Sequence, residues 1–502
     1  MNPPTKACRL DSALARVKHR SVCAAVGLLA LLPVLAPAGD WLLFPRANVT
    51  EAYSDNITLA ETNTLDDLIT TVMPGITVRG TSARLDLNLD YTLQYLKFLD
   101  NTEFDDLNHQ MQGDAGLTMV EDLLYFNASA RKSQQNTSNQ GQFSQSNRSQ
   151  TGNRTDVLFY QFGPSLRHSL GSWASVDASY LMNKSERTAI TGVNPTGPGA
   201  EGNTAQFSLR SGPSLPRTPL GFSVSSREQE RQDGQQSSLR SISADGGYVL
   251  NRFFTLTVEG GQEFNDFQTG RNQRDGPFWF VGGTWTPGPR TQFTGRYGSR
   301  FFGNTYNVSG SHTLRRAVFS FNYGEQVRTT NQIQSELVLV PLTDPFGNPI
   351  LDPGFNPDIL TPPDIPSLGD DIIISRNAGV NFSYAGRRQT FNARYFESKN
   401  EFQSTGFIET NRGASFDLSH RLTTVASAAV RGLWRESDSR NGQFRIMRIT
   451  PSLQFSLSSH LRASLNYEFI DGKGNRGGNN INNFNNGNFT ENAVTADIGY
   501  VF

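Results

Sequence analysis

Residues 83–95 read ARLDLNLDYTLQY. Ala83, Leu85, Leu87, Leu89, Tyr91, Leu93 and Tyr95 share one face of an extended chain, while Arg84, Asp86, Asn88, Asp90, Thr92 and Gln94 share the other. Successive side chains of a strand point to opposite faces, so this segment is apolar on one side and wet on the other. A helix would mix the two sets around its circumference.

The same period of two returns along the chain. Leu124, Phe126 and Ala128 oppose Asn127, Ser129 and Arg131, and Val176, Ala178 and Tyr180 oppose Ser175, Asp177 and Ser179. Met447, Ile449 and Leu453 oppose Arg448, Thr450 and Ser452, and Leu461, Leu465 and Tyr467 oppose Arg462, Asn466 and Glu468. In the final stretch Val494, Ala496, Ile498, Tyr500 and Phe502 oppose Thr495, Asp497 and Gly499. Short connections at 80–82, 120–122, 170–172, 250–252, 287–289, 385–387 and 458–460 alternate with long polar ones at 134–153, 184–202, 266–276, 331–370 and 472–488. Short turns on one side and long loops on the other are the pattern of a transmembrane antiparallel β-barrel, with the long loops extracellular. The expected fold is one all-β barrel over residues 39–502, with about 22 strands (roughly 18 to 24) from near Leu43 to Phe502. An even number puts both termini in the periplasm of a Gram-negative cell. A soluble sandwich also alternates, but its strands run only about 5–6 residues, and closure in lipid satisfies every backbone polar group without water.

The first 38 residues read as a secretory signal. Lys6, Arg9, Arg16, Lys18 and Arg20 precede the apolar run 22–35, and Ala36-Pro37-Ala38 supplies small residues at the cut. The run is too short to span a bilayer as a helix. Cleavage after Ala38 leaves 464 residues (502 less 38) and removes both cysteines, Cys8 and Cys23. It also removes five basic residues and Asp11, so the net charge moves from -1 to -5. A cysteine-free exported chain suits an envelope in which no disulfide is needed.

Composition narrows the function. A formal charge of -1 is too balanced for nucleic-acid binding by counterion release, and 11% aromatic residues is too many for a disordered chain. No enzyme signal appears. His109, His168, His312, His420 and His460 lack metal-ligand spacing, and no nucleophile elbow occurs. Residues 197–202 match G-x-G-x-x-G on paper but lie in a loop with no helix after it. Catalytic, cofactor-binding and metal-binding residues are therefore expected to be absent.

The candidate lumen-lining residues are Arg84, Asp86, Asp90, Arg131, Asp177, Arg394, Glu468 and Asp497. Both signs occur, which suits a hydrated wall with internal salt bridges or a polar track for a long hydrophilic substrate. Segment 331–370 stands apart. Pro341, Pro345, Pro349, Pro353 and Pro357 recur every four residues, which excludes ladder strand and helix. Phe346 and Phe355 lie among them. Two readings stand side by side: a plug or lid folded into the lumen, or a surface loop packed on its neighbours. Barrels of 22 strands are usually plugged. The Gln-, Ser- and Asn-rich stretch 134–153 and the Asn- and Gly-rich 475–488 are expected to be flexible, uncharged, solvated loops.

Beyond the patterns, the chain resembles the outer-membrane proteins associated with PEP-CTERM/exosortase systems. The likeness is carried by Tyr53-Ser54-Asp55-Asn56 with Leu59-Ala60, by Pro74-Gly75-Ile76 with Arg79-Gly80, by Leu89-Asp90-Tyr91, and by the Pro-rich mid-chain segment. The terminal Tyr500-x-Phe502 resembles the C-terminal signal read by the barrel assembly machinery. The resemblance implies an outer-membrane barrel found with exopolysaccharide synthesis and export. Implied partners are outer-membrane lipid and lipopolysaccharide, the assembly machinery, and exopolysaccharide or its export proteins. The expected function is a pore or export component for such a polymer. The alternative is a plugged structural barrel that docks surface proteins through its long loops.

Overall fold

The computed structural model describes residues 39–502 apart from 140–141, 143–146, 190–198, 232–233, 330–331, 334, 336–365, 369–370, 440–441 and 477–487. The signal segment 1–38 and the proline and phenylalanine residues of the candidate plug, Pro341, Pro345, Phe346, Pro349, Pro353, Phe355 and Pro357, lie outside the described residues.

Twenty-two strands form one sheet. They are β1 Gly39–Ser54, β2 Asp67–Ser82, β3 Leu85–Phe98, β4 Asp106–Val120, β5 Leu124–Asn136, β6 Arg154–Leu170, β7 Ala174–Ala189 and β8 Ala200–Ser211. Then come β9 Leu220–Arg231, β10 Gln236–Val249, β11 Phe254–Asp266, β12 Gly276–Gly288, β13 Thr291–Arg300, β14 Gly303–Thr313 and β15 Ala317–Arg328. The last are β16 Ile373–Ala385, β17 Gln389–Phe402, β18 Ile408–Arg421, β19 Ala426–Ser439, β20 Gly442–Ser456, β21 Leu461–Arg476 and β22 Phe489–Val501. Each strand pairs antiparallel with its sequence neighbours, as β3 does with β2 and β4. The first strand closes on the last, from Arg46 opposite Val501 to Ser54 opposite Ala493. No edge is left open. Among the described residues no helix is long and apolar enough to cross a membrane; the strands do the crossing.

The alternation sets the faces. On β22, Val494 is 47% and Ile498 58% exposed, whereas the intervening Thr495 and Asp497 are at 6% and 1%. The apolar set looks out to lipid and the polar set looks into the lumen, as closure in hydrocarbon demands. Register carries these faces from strand to strand, for example Asp497 to Ser464 and Ser464 to Gln454.

One end of the barrel holds both described chain ends and the short turns 83–84, 121–123, 171–173, 250–253, 289–290, 314–316, 386–388 and 457–460. This is the periplasmic end. Asp122 and Gly171 turn the chain there with positive φ, 57° and 62°. Two boundaries differ from the sequence reading. Strand β1 starts at Gly39 rather than near Leu43, and residues 80–82, expected as a turn, belong to β2. The first of the short turns, β2–β3, is Ala83-Arg84, so Arg84 sits at the rim instead of on the strand face.

Candidate functional site

The site is the lumen. Its wall is built from the inward-facing half of every strand. At the periplasmic half, Arg46 Nη2 donates to Asp90 Oδ1 at 2.6 Å and Nη1 donates to Asp90 Oδ2 at 2.8 Å. The bidentate pair bridges β1 to β3 across β2, and Thr77 and Thr92 complete it at 2.6 Å each. Gly75 allows the crossing, since a Cβ there would meet Arg46 Nε at 2.8 Å.

Similar pairs recur round the wall. Arg167 meets Asp177 at 3.0 Å, Arg431 meets Asp417 at 3.1 Å and Arg296 meets Glu259 at 3.1 Å. Arg300 pairs with Glu263, and its guanidinium lies over the Phe302 ring at 5.1 Å. Arg394 lies over Phe396 at 5.7 Å. Arg131 is buried on the inner face of β5, while Asp86 and the rim residue Arg84 are exposed at the mouth. Between the pairs run hydroxyl contacts across neighbouring strands: Ser223 with Ser243 and Ser225 with Ser241, both at 2.8 Å, and Thr390 with Ser419 at 2.7 Å.

The extracellular half is narrowed by chain from three connections. The β1–β2 connection turns inward and buries Ile57 and Leu59 completely. Leu59 packs on Phe444, Ile446, Ile470 and Phe489, and Ile57 on Ile69, Leu96 and Phe98. Asn56 fastens this turn: its side-chain carbonyl accepts from the Ala60 amide at 2.9 Å, and its NH2 donates to the carbonyls of Ala60 at 2.8 Å and Thr490 at 2.9 Å. Asp55 accepts from the amide and side chain of Asn492, both at 2.7 Å, and Ser54 donates to Glu491 at 2.7 Å. These contacts hold the β1–β22 seam.

The β5–β6 connection crosses the lumen. Asn147 donates to Gln94 on β3 at 2.6 Å. Arg148 donates to Glu468 on β21 at 2.9 Å and also bonds Thr495 on β22. Glu468 in turn holds Arg448 of β20 at 2.7 Å. Asn139 donates to Glu409 on β18 at 2.7 Å and accepts from Arg435 on β19. Asp497 lies below this cluster, accepting from Thr50 at 2.7 Å, Ser464 at 2.8 Å and Asn466 at 2.9 Å. The expectation of a solvated, uncharged loop at 134–153 is corrected here. Residues 134–136 end β5, Arg148 carries charge, and the described remainder packs inside the barrel. The partners of Arg148 lie more than 300 positions away, so local composition could not announce them.

The β15–β16 connection contributes its described tail. Ser367 donates its hydroxyl to Glu409 at 2.5 Å, and its amide reaches the same carboxylate at 3.2 Å. Leu368 donates its amide to the Thr137 carbonyl at 3.0 Å. At the loop's end, Asp371 accepts from the Ser404 amide at 3.0 Å and hydroxyl at 2.6 Å. Burial pushes the Asp371 carboxyl above the usual carboxylate range, against the pull of the Ser404 bonds. Tyr500 and Phe502 stack edge-to-face at 4.8 Å on the outer wall, and the Phe502 amide donates to the Pro45 carbonyl at 2.9 Å. Among the described residues no group of three or more His, Cys, Asp or Glu is placed to hold a metal.

No protein-family model matches the chain, and no curated protein matches it. Solved structures do. The FrpB iron transporter of Neisseria meningitidis (F5-1 variant, apoprotein form) is 11% identical, with a TM-score of 0.52 over 91% of this chain and 81% of that one. The F3-3 variant of the same transporter is 12% identical, with a TM-score of 0.52 over 94% and 83%. At such identity the likeness is one of fold. Taken with the apolar outer wall and the polar lumen, it makes this chain a 22-stranded β-barrel of the Gram-negative outer membrane.

Proposed function

We propose that the barrel is an outer-membrane pore that serves export of an exopolysaccharide or a related envelope polymer, in a system of the exosortase type. The observation that carries this reading is the inner wall. Many of its charges are taken up in ion pairs such as Arg46–Asp90 and Arg167–Asp177, and its surface also carries hydroxyls such as those of Ser223, Ser225, Ser241 and Ser243. A polymer of hydroxyls can exchange hydrogen bonds with such a wall and is not trapped by a net field, which conduction through a pore needs. The sequence resemblance supplies the polymer class. FrpB, similar in fold, is named a transporter.

A second reading, a plugged structural barrel that docks surface proteins, is favoured by the chain that crosses the lumen. Conductance separates the two. The refolded protein in a planar bilayer should give steady steps, and Arg148→Ala should enlarge them by freeing Glu468 and Thr495 from the crossing chain. Silence from an inserted, heat-modifiable barrel, unchanged by Arg148→Ala, would replace the pore with the scaffold. In cells, deletion of the gene should lower surface polysaccharide; normal amounts would sink the export reading. Lipopolysaccharide and the assembly machinery remain proposed partners, the latter through Tyr500 and Phe502.

A further inference from the structure

The periplasmic rim is charged unevenly. Five successive turns, from β8–β9 round to β16–β17, carry Arg217, Arg252, Arg290, the pair Arg315-Arg316 and the pair Arg387-Arg388, and not one acidic residue. All of these arginines are exposed. Arg252 lies over Phe253 at 4.5 Å. The others make no ion pair among the described residues. Outside the arc, the β4–β5 turn carries Glu121 and Asp122 and no base, and the β2–β3 turn carries Arg84. Inside the lumen, cations such as Arg46, Arg167 and Arg431 are neutralised by carboxylates. The arc thus sets seven exposed arginines and no acid at the entrance of a wall that pairs many of its own charges.

Neighbouring strands lie about 4.8 Å apart, so adjacent turns are about 10 Å apart and the five span an arc of about 40 Å. Physiological salt screens beyond about 8 Å, so a small anion senses one turn at a time. An extended polyanion touches several at once. Every cation in the arc is Arg, whose planar fork fits carboxylate and phosphate oxygens in pairs. A charged entrance raises the local concentration of a ligand of opposite sign, and the neutral wall beyond lets the ligand go.

We infer that this arc is a capture site for an anionic polysaccharide, one bearing carboxylates such as uronic acid residues, at the periplasmic mouth. The inference rests on the export reading for its direction of travel and adds the substrate's charge class. The capture itself is a binding event and is measured without transport.

The test uses the whole barrel in nanodiscs of zwitterionic lipid, with polygalacturonate and neutral dextran as probes. Wild type should bind polygalacturonate, more weakly as salt rises, and should not bind dextran. A variant with Arg315, Arg316, Arg387 and Arg388 all changed to Gln should bind polygalacturonate weaker by about tenfold or more. The rim variant touches no ion pair, and its heat-modifiable band reports that it folds. A control with Arg412→Gln and Arg445→Gln, residues on β18 and β20 near the other end, should bind as wild type does. Equal binding by the rim variant, or dextran bound as well as polygalacturonate, would overturn the inference. So would a rim variant that loses only its affinity for phosphatidylglycerol vesicles, which would assign the arginines to inner-leaflet lipid. Binding with a closed pore would keep the capture site and remove the export reading; conductance without binding would do the reverse.

Discussion

At the scale of single residues, the segments that carry the family resemblance have a mechanical job. Asp55 and Asn56 hold the seam and the inward turn, Leu59 fills an apolar pocket against Phe444 and Phe489, and Gly75 clears the way for Arg46 to reach Asp90. None of this was legible in the sequence, because each contact joins residues distant in the chain; only the residue types and their order were visible. Asn56→Ala leaves buried backbone groups of Ala60 and Thr490 unpaired, which costs about 1–3 kcal/mol. The midpoint of urea unfolding in lipid vesicles should fall accordingly, and an unchanged midpoint would refute the role. Leu59→Ala should cost about 2–5 kcal/mol by the cavity it opens. Asp371 gives a pH signature. Its folded pKa is raised by burial, so its contribution to stability is fully present below the unfolded pKa and is lost as pH rises through the folded one. Asp371→Asn should flatten that part of the stability–pH curve, and a curve of unaltered slope would show that the group does not titrate with folding.

At the scale of elements, faces were legible wherever lipid selects them. The alternation in β3, β5, β7, β20, β21 and β22 assigns the outer and inner sets that the register shows. It was weakest near 204–250 and 290–315, where glycine and serine take outward places, as at Gly246, Ser226, Gly295 and Gly310. Small residues there still pair in the ladder but give no hydropathy contrast. Strand ends were off by a few residues because the polar ladder continues beyond the lipid. A paired substitution checks the faces. Leu465→Arg puts a charge toward lipid and should cost about 2–4 kcal/mol if it lies near the midplane. Gln454→Arg, on the lumen side of β20, should fold with little loss. Equal loss in both would contradict the assignment.

At the scale of the molecule, sequence alternation and loop lengths were enough for the architecture, since a closed barrel is the strand-built solution in hydrocarbon. The occupancy of the lumen was not legible. Glu468 and Asp497 stood out as inward polar residues, but the chain that reaches Glu468 comes from the β5–β6 connection. Arg148 looked like one base in a loop of amides.

The two strands that close the ring are the first and the last to leave the ribosome: Thr50 must wait for Asp497, 447 positions behind it. Until then β1 and β21 each present a row of unpaired ladder groups, the condition under which strands recruit foreign edges. Delivery of this chain to the membrane is therefore a problem of keeping two open edges apart from everything except each other. A chain ended at residue 488 keeps every strand but one, and should accumulate as aggregate with no compact, heat-modifiable form.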